Sequence, residues 1–341
     1  MKKQSHIERT AHEPRDASLH TLTISRIIQA SPTVRIFHLT TPQNNSITFL
    51  PGQWVDLYPP PEAGIPKPGG FTITSSPSLA LPKHKQTQTA HAPVKKEVER
   101  NDQEKESPYI ELAIQSSPQN PVAAYLFLPS SQLLHTPVRV RIGGSFVFPP
   151  PPALLAPSSF LRKVVLVAGG MGINPLMSML SWIGEQASLA AAAGGNGDSW
   201  GEVEVEVLYS VRNPRHQEEK SSGAGSGSGI LFLERIERLF RGGTVKGRLR
   251  LFLTEATSVD GGAEEAEERG VVSCEGGVGE VPFLRRRMTV DDVIEAVGKD
   301  KDGTVIYVCG VPSMTDEFVE ALVSPEGYGM DKKRVLFEKW W

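Results

Sequence analysis

Apolar residues follow two different periods along the chain, and the change of period divides it. From Leu19 onward, short runs of β-branched and apolar residues recur: Leu22-Thr23-Ile24, Val34 to Leu39, Trp54-Val55-Asp56-Leu57, Phe71-Thr72-Ile73-Thr74, Tyr109 to Ile114 and Val138 to Ile142. Turn signals such as Pro51-Gly52-Gln53 separate them, and this is the pattern of strands. Many short strands split by Gly and Pro predict a small antiparallel β-barrel. Residues 121–128 read as a short helix, with Pro121 suited to an early helical position.

After the proline run Pro149 to Pro152, strands alternate with helices. Lys163 to Ala168 is a largely apolar strand of the kind buried in a parallel sheet. A helix from Pro175 to about Ser188 follows, then a strand Val203–Tyr209, a helix Ile230–Arg241 and a strand Arg248–Leu253. A helix Val290–Val297, a strand Thr304–Cys309, a helix Pro312–Val323 and a closing strand Val335–Phe337 complete the series. Such alternation predicts a Rossmann-like, doubly wound parallel sheet. The expected fold class is therefore β plus α/β. Residues 18–150 form the barrel with an insertion at 83–107, and residues 151–159 the linker. Residues 160–341 form the dinucleotide domain, with insertions at 190–199, 216–229 and 257–280. Residues 1–17 are polar and expected to be frayed.

Composition narrows the function. A chain of 341 residues accommodates two domains. A net charge of −3 argues against nucleic acid as a partner. The two cysteines, Cys274 and Cys309, lie far apart and form neither a disulfide framework nor a metal-ligand spacing. The eight histidines lack an HxxxH pair with a nearby acid, so no metal is expected. No apolar run reaches the length of a membrane span. Glu8, Glu13 and Asp16 make the N-terminus acidic for a transit peptide.

Two motifs carry chemistry. The first is Gly169-Gly170-Met171-Gly172-Ile173-Asn174-Pro175, after a buried strand and at the start of a helix. Glycines there permit a tight turn and close backbone approach to a phosphate, and the helix offers N–H groups and its positive end. An ordinary strand–helix turn is the plainer alternative. The second is Tyr307-Val308-Cys309-Gly310-Val311-Pro312-Ser313-Met314, a strand ending in Cys-Gly before a helix-starting proline. Ligands of open α/β sheets bind outside the carboxyl ends of strands, so Cys309 and Gly310 should share an edge with Gly169. A buried structural cysteine is the alternative for Cys309. Ser210 and Arg212, after the second strand of this domain, lean towards a 2′-phosphate; NAD and NADP both remain open.

These two motifs, in this order, resemble the ferredoxin–NADP reductase superfamily, whose members join an FAD-binding FR-type barrel to an NAD-binding domain. Within it, Gly-Gly-Phe-Thr at 69–72 and the Glu-Lys-Trp-Trp ending at 338–341 resemble the oxidoreductase NAD-binding domain-containing group, which is associated with mitochondria. A cytoplasmic location is the alternative. The resemblance implies a flavin-dependent oxidoreductase that passes hydride from NAD(P)H to FAD and electrons to a separate acceptor. It implies that Phe71 and Trp340 flank the flavin ring, that Thr72, Ile73 and Thr74 line it, that Cys309 lies near the reacting carbons, and that Glu338 relays a proton or holds the nicotinamide amide, an exposed charge on the tail being its alternative. It also implies that Gly169 to Pro175 and Gly310 hold the dinucleotide. The family motif Arg-x-Tyr-[Ser/Thr] departs here: Gly69 stands in place of the Arg, which removes a charge-assisted phosphate contact. Lys67 lies nearby as a point charge without the guanidinium fork. At Asn120-Pro121-Val122-Ala123-Ala124 the expected hydroxyl near Ala124 is also absent, although helix N–H groups are expected to serve. The second reading is a protein that binds NAD(P)H without flavin or turnover. The third is a structural subunit of a larger complex.

Overall fold

The structure is a computed structural model, and it describes residues 5–42, 45–82, 107–152, 161–193, 200–213, 229–254, 269–274 and 279–340. The expected insertion at 83–107 and linker at 151–159 fall largely outside these residues, as do most of the insertions at 190–199, 216–229 and 257–280. The chain divides into two compact units, residues 1–149 with 177–192 and residues 150–176 with 193–341.

The first unit is built on six strands: β1 (His20–Ser31), β2 (Val34–Thr40), β3 (Trp54–Tyr58), β4 (Gly69–Thr72), β5 (Tyr109–Gln115) and β6 (Pro137–Gly143). They form one antiparallel sheet in the order β4-β3-β6-β1-β2-β5. A bridge between Ile73 and Leu112 joins the two ends of that order, with a hydrogen bond from Thr74 N to Glu111 O of 2.8 Å. The alternation read from sequence sets which residues point inward. Leu22, Ile24, Phe37, Leu39, Val55, Leu57, Phe71, Ile110, Leu112, Val138 and Val140 fill one apolar cluster. Helices α1 (His6–Arg9), α2 (Pro121–Tyr125) and α3 (Ser130–Leu133) are short.

The N-terminal segment differs from the frayed terminus that its polarity predicts. His6 packs edge-on against Trp54, with ring centroids 4.7 Å apart, and its Nε2 lies 3.1 Å from Asp56. The guanidiniums of Arg15 and Arg141 donate to the same carboxylate at 3.0 and 2.9 Å. Asp56 is fully buried, so these partners are what make its burial tolerable. The absence of a side chain at Gly70 makes room for His6, since a Cβ there would lie 2.1 Å from the imidazole. Polarity in this segment marks a specific ionic contact rather than solvation.

The second unit carries seven strands: β7 (Lys163–Gly169), β8 (Glu204–Arg212), β9 (Gly247–Thr254), β10 (Arg269–Cys274), β11 (Gly279–Leu284), β12 (Thr304–Gly310) and β13 (Val335–Lys339). Their order is β10-β11-β9-β8-β7-β12-β13, parallel throughout except for the β10–β11 pair. The glycine turn leads into α4 (Ile173–Ala192), longer at both ends than expected. The other helices are α5 (Leu233–Arg241), α6 (Val290–Val297) and α7 (Pro312–Val323). α5 starts three residues later than the apolar pattern suggests, because Phe232 adopts a left-handed conformation (φ 63°) at its N-cap. Strand β10 lies within the stretch 257–280 expected to be a flexible insertion. Its pairing with β11 follows the alternation of buried Val272, Val281 and Phe283 with exposed Val271 and Pro282.

Candidate functional site

In the second unit the strand order places β7 between β8 and β12. From β7 the chain proceeds outward to β8 and β9 on one side, then returns to β12 and β13 on the other. The point between β7 and β12 is thus the topological switch, where a crevice opens outside the carboxyl ends of the strands. Both sequence motifs converge on it. Ala168 pairs with Cys309 across the β7–β12 ladder, and Gly169 pairs with Ser210 of β8.

The glycines are required by close backbone approach. A Cβ on Gly172 would lie 2.0 Å from the carbonyl oxygen of Cys309 and 2.9 Å from the nitrogen of Gly310. A Cβ on Gly169 would meet the Met314 sulfur at 2.7 Å, and one on Gly310 would meet the same side chain at 3.0 Å. Gly170 has φ 54° with open space around it, so the left-handed turn rather than crowding demands glycine there. Met314, on the first turn of α7, therefore underlies both glycine motifs. Its presence in the second motif was visible in the sequence, but its role was not. Ile173, Asn174 and Pro175 are buried in the first turn of α4, and Met171 is partly exposed at the rim.

Around Cys309 the chemistry is that of a neutral thiol. Its side chain is fully buried. Burial pushes the thiol well above its ordinary pKa, the negative charge of Glu338 pushes it further, and a hydrogen bond with Trp340 acts weakly in the opposite direction. β13 pairs Glu338 beside Cys309, and the Trp340 indole N–H donates to the Glu338 carboxylate at 3.2 Å. The Trp340 backbone N–H donates to the Gly310 carbonyl at 2.9 Å. The C-terminal residues are thereby fixed at the crevice, with Glu338 and Trp340 partly exposed. Trp341 lies outside the described residues. At the end of β8, Ser210 is half-buried and Arg212 exposed, on the same carboxyl edge as Gly169. This arrangement offers what a nicotinamide dinucleotide needs: a Cβ-free floor, a helix N-terminus for the pyrophosphate, and a polar edge for the ribose. The residues present fit that cofactor.

The residues expected to hold a flavin lie in the first unit, apart from Trp340, and their arrangement is different. Phe71 is buried within the apolar cluster. Its ring covers Gly69, where a Cβ would lie 2.8 Å from the Phe71 ring and 2.9 Å from Val122. Ile73 is fully buried, and the Thr74 hydroxyl donates to the Glu111 carboxylate at 2.8 Å. At α2 the helix N–H groups expected to meet the diphosphate are already bonded. Asn120 Oδ1 accepts from Val122 and Ala123 at 3.1 and 3.2 Å, and the Asn120 carbonyl accepts from Ala124 at 2.9 Å. Pro121 has no N–H. Thr72 alone offers an available group, a buried hydroxyl with no hydrogen-bond partner. A flavin ring edge has a candidate contact there, but the residues present do not fit the FAD diphosphate.

The fold is that of the ferredoxin–NADP reductase class: a six-stranded antiparallel sheet followed by a mixed, mostly parallel sheet with helices. Among solved structures, the chain is similar to a ferredoxin NADP+ reductase from Neisseria gonorrhoeae with bound FAD and NADP. The TM-score is 0.55 at 14% identity, covering 96% of this chain and 100% of that one. It is also similar to the flavohem-like FAD/NAD binding domain of nitric oxide dioxygenase from Vibrio cholerae, with TM-score 0.55 at 14% identity, covering 94% and 98%. By sequence the chain is homologous over its full length to oxidoreductase NAD-binding domain-containing protein 1. It is 28% identical to the Homo sapiens protein, covering 100% of this chain and 86% of that one. With the Danio rerio protein it shares 28% identity, covering 100% and 98%. No protein-family model matches the chain.

Proposed function

We propose that the second unit binds a nicotinamide dinucleotide in the crevice between β7 and β12, as the hydride-carrying centre of an NAD(P)H-dependent oxidoreductase. The observation that carries this reading is the backbone contact of Gly172 with Cys309 and Gly310 at the switch point. The amino end of α4 would hold the pyrophosphate, since Gly170 and Gly172 allow approach there and the helix dipole favours negative charge. Gly310 would border the nicotinamide. Cys309 acts as a positioning residue through its backbone and its neutral thiol, while Glu338 is placed to accept a hydrogen bond from the carboxamide. The cofactor supplies the hydride chemistry, and the protein supplies orientation. Ser210 and Arg212 decide between NAD and NADP.

A second reading keeps a flavin against Thr72 and makes the chain a flavin-dependent oxidoreductase with a separate electron acceptor. The buried, partnerless Thr72 hydroxyl favours it. Solved structures of the same fold hold FAD, among them the ferredoxin NADP+ reductase from Neisseria gonorrhoeae and a flavohemoglobin from Malassezia yamatoensis.

The test is titration of the full chain with NADH and with NADPH, followed by quenching of tryptophan fluorescence and by calorimetry. Saturable binding by at least one of them in the micromolar range, about −8 kcal/mol, is the expected result. Absence of saturation at millimolar nucleotide sinks the proposal.

A further inference from the structure

We infer that the flavin place of the first unit is closed by the chain's own side chains, so that the barrel holds no FAD and a nicotinamide dinucleotide is the only redox group the protein binds. Three independent features of one short region support this. Gly69 supplies no cation, and the space over it is occupied by the Phe71 ring and Val122. The strand register makes that occupation the resting arrangement: Phe71 pairs with Val55 and Gly69 with Leu57, and both partners point into the apolar cluster. The amino end of α2 has its donors spent on Asn120.

A diphosphate brought there would meet no guanidinium, no free helix N–H from residues 121–124, and an apolar wall. Desolvating its charges without compensating bonds is unfavourable. Opening the place also has a cost, because Phe71 is part of the core and turning it outward leaves a cavity. Thr72 remains as a single hydrogen-bonding group, too little to hold a dinucleotide.

A chemical consequence follows. A reduced nicotinamide gives up a hydride, that is, two electrons and one proton transferred together. Without flavin, turnover takes the form NAD(P)H + A + H⁺ → NAD(P)⁺ + AH₂, where A is an organic acceptor of hydride. One-electron carriers are then not substrates.

The test uses the purified full chain incubated with excess FAD and passed over a sizing column. No flavin absorbance co-eluting with the chain, an unchanged thermal midpoint with FAD, and no NAD(P)H-driven reduction of ferricyanide are expected. Stoichiometric FAD retained on the chain, or ferricyanide reduction that depends on added FAD, overturns the inference. The closed flavin place rests on the first unit alone, while the nicotinamide as redox group rests on the proposed function, so the two failures are distinguishable. A chain that retains FAD and binds NADH refutes only the closed place. A chain that binds neither upholds the closed place but refutes the nicotinamide site, and with it the turnover written above.

Discussion

At the scale of single residues, Gly172 and Gly170 sit two positions apart yet are glycine for different reasons, and this separates their substitutions. Alanine at 172 forces a methyl to 2.0 Å from the Cys309 carbonyl oxygen, so β12 or α4 must move. Overpacking of this kind costs about 1–3 kcal/mol. Gly172→Ala is expected to lower the denaturant midpoint and to abolish nucleotide binding, because the displaced backbone forms the crevice. Gly170→Ala meets no neighbour within 4 Å and bears only the left-handed strain, about 1–2 kcal/mol. Calorimetric titration of both variants with NADH or NADPH checks the distinction, and undiminished binding by Gly172→Ala removes the crevice from the argument. Cys309 yields a second prediction. Burial and the Glu338 charge keep its thiol protonated at neutral pH, and the thiolate is the nucleophile. Iodoacetamide should therefore label the half-buried Cys274 in the native protein and leave Cys309 unlabelled until denaturation, as read by mass spectrometry.

At the scale of elements, two carboxylates, buried Asp56 and half-buried Glu185, give opposite pH dependences within the first unit. Burial pushes the Asp56 carboxyl up, but the close His6 imidazole and the hydrogen bonds from Arg15 and Arg141 outweigh it, and the net pKa lies below the usual carboxylate range. A depressed folded value means stability that is fully present above the unfolded pKa, about 3.9, and is lost as pH falls through the folded value. Glu185, on α4, is shifted the other way. Burial raises its pKa more than the bonds donated by Ser76 and Ser78 lower it. Its stabilising contribution is full below the unfolded value, about 4.3, and is lost as pH rises through the folded one. Glu185→Gln is expected to keep the serine bonds, to raise the thermal midpoint at neutral pH, and to flatten the decline above the ordinary glutamate range. A variant whose midpoint falls equally at every pH would show that the carboxylate, not its protonated form, holds the turn at 76–78. Asn120→Ala removes the cap of α2 and should cost about 1 kcal/mol in a denaturant titration.

These elements also show which physics is legible in a sequence. The strands of both units follow from alternation, and the order of glycine turn, helix and Cys-Gly strand end pointed to the edge between β7 and β12 where the structure brings these motifs together. Asn120 before Pro121 is a cap signal, yet the family pattern drew attention to the helix N–H groups as donors to a phosphate rather than to the side chain that already occupies them. Phe71 carries the same lesson. Its period along β4 places it on the face of Val55, inward, whereas its position in a flavin motif suggests an outward ring. The His6–Asp56–Arg15–Arg141 contact was not legible, because it joins residues from three separate segments and no local pattern encodes it. Likewise β10 follows a stretch rich in Gly and Glu, and only the pairing with β11 reveals its alternation.

At the scale of the whole molecule, ligand binding should register in one unit and be silent in the other. A ligand that binds only the folded state stabilises by RT ln(1 + [L]/Kd), about 2.7 kcal/mol at a hundredfold excess over Kd. Backbone amides in the bound crevice should gain hydrogen-exchange protection of that order where they open locally. With saturating NADH or NADPH, the gain is expected at 169–175, on the glycine turn and first turn of α4, and at 309–314, where Gly310 and Met314 underlie it. The segment 69–74 and the cap at 120–124 should exchange at the same rate with and without FAD, because Asn120 already satisfies the amides of Val122 and Ala123. Protection that appears at 120–124 on adding FAD would mean that the asparagine yields its place to a phosphate, and the barrel would then be a flavin site. Protection confined to 169–175 and 309–314 would leave a reductase fold in which the nicotinamide half works without the flavin half.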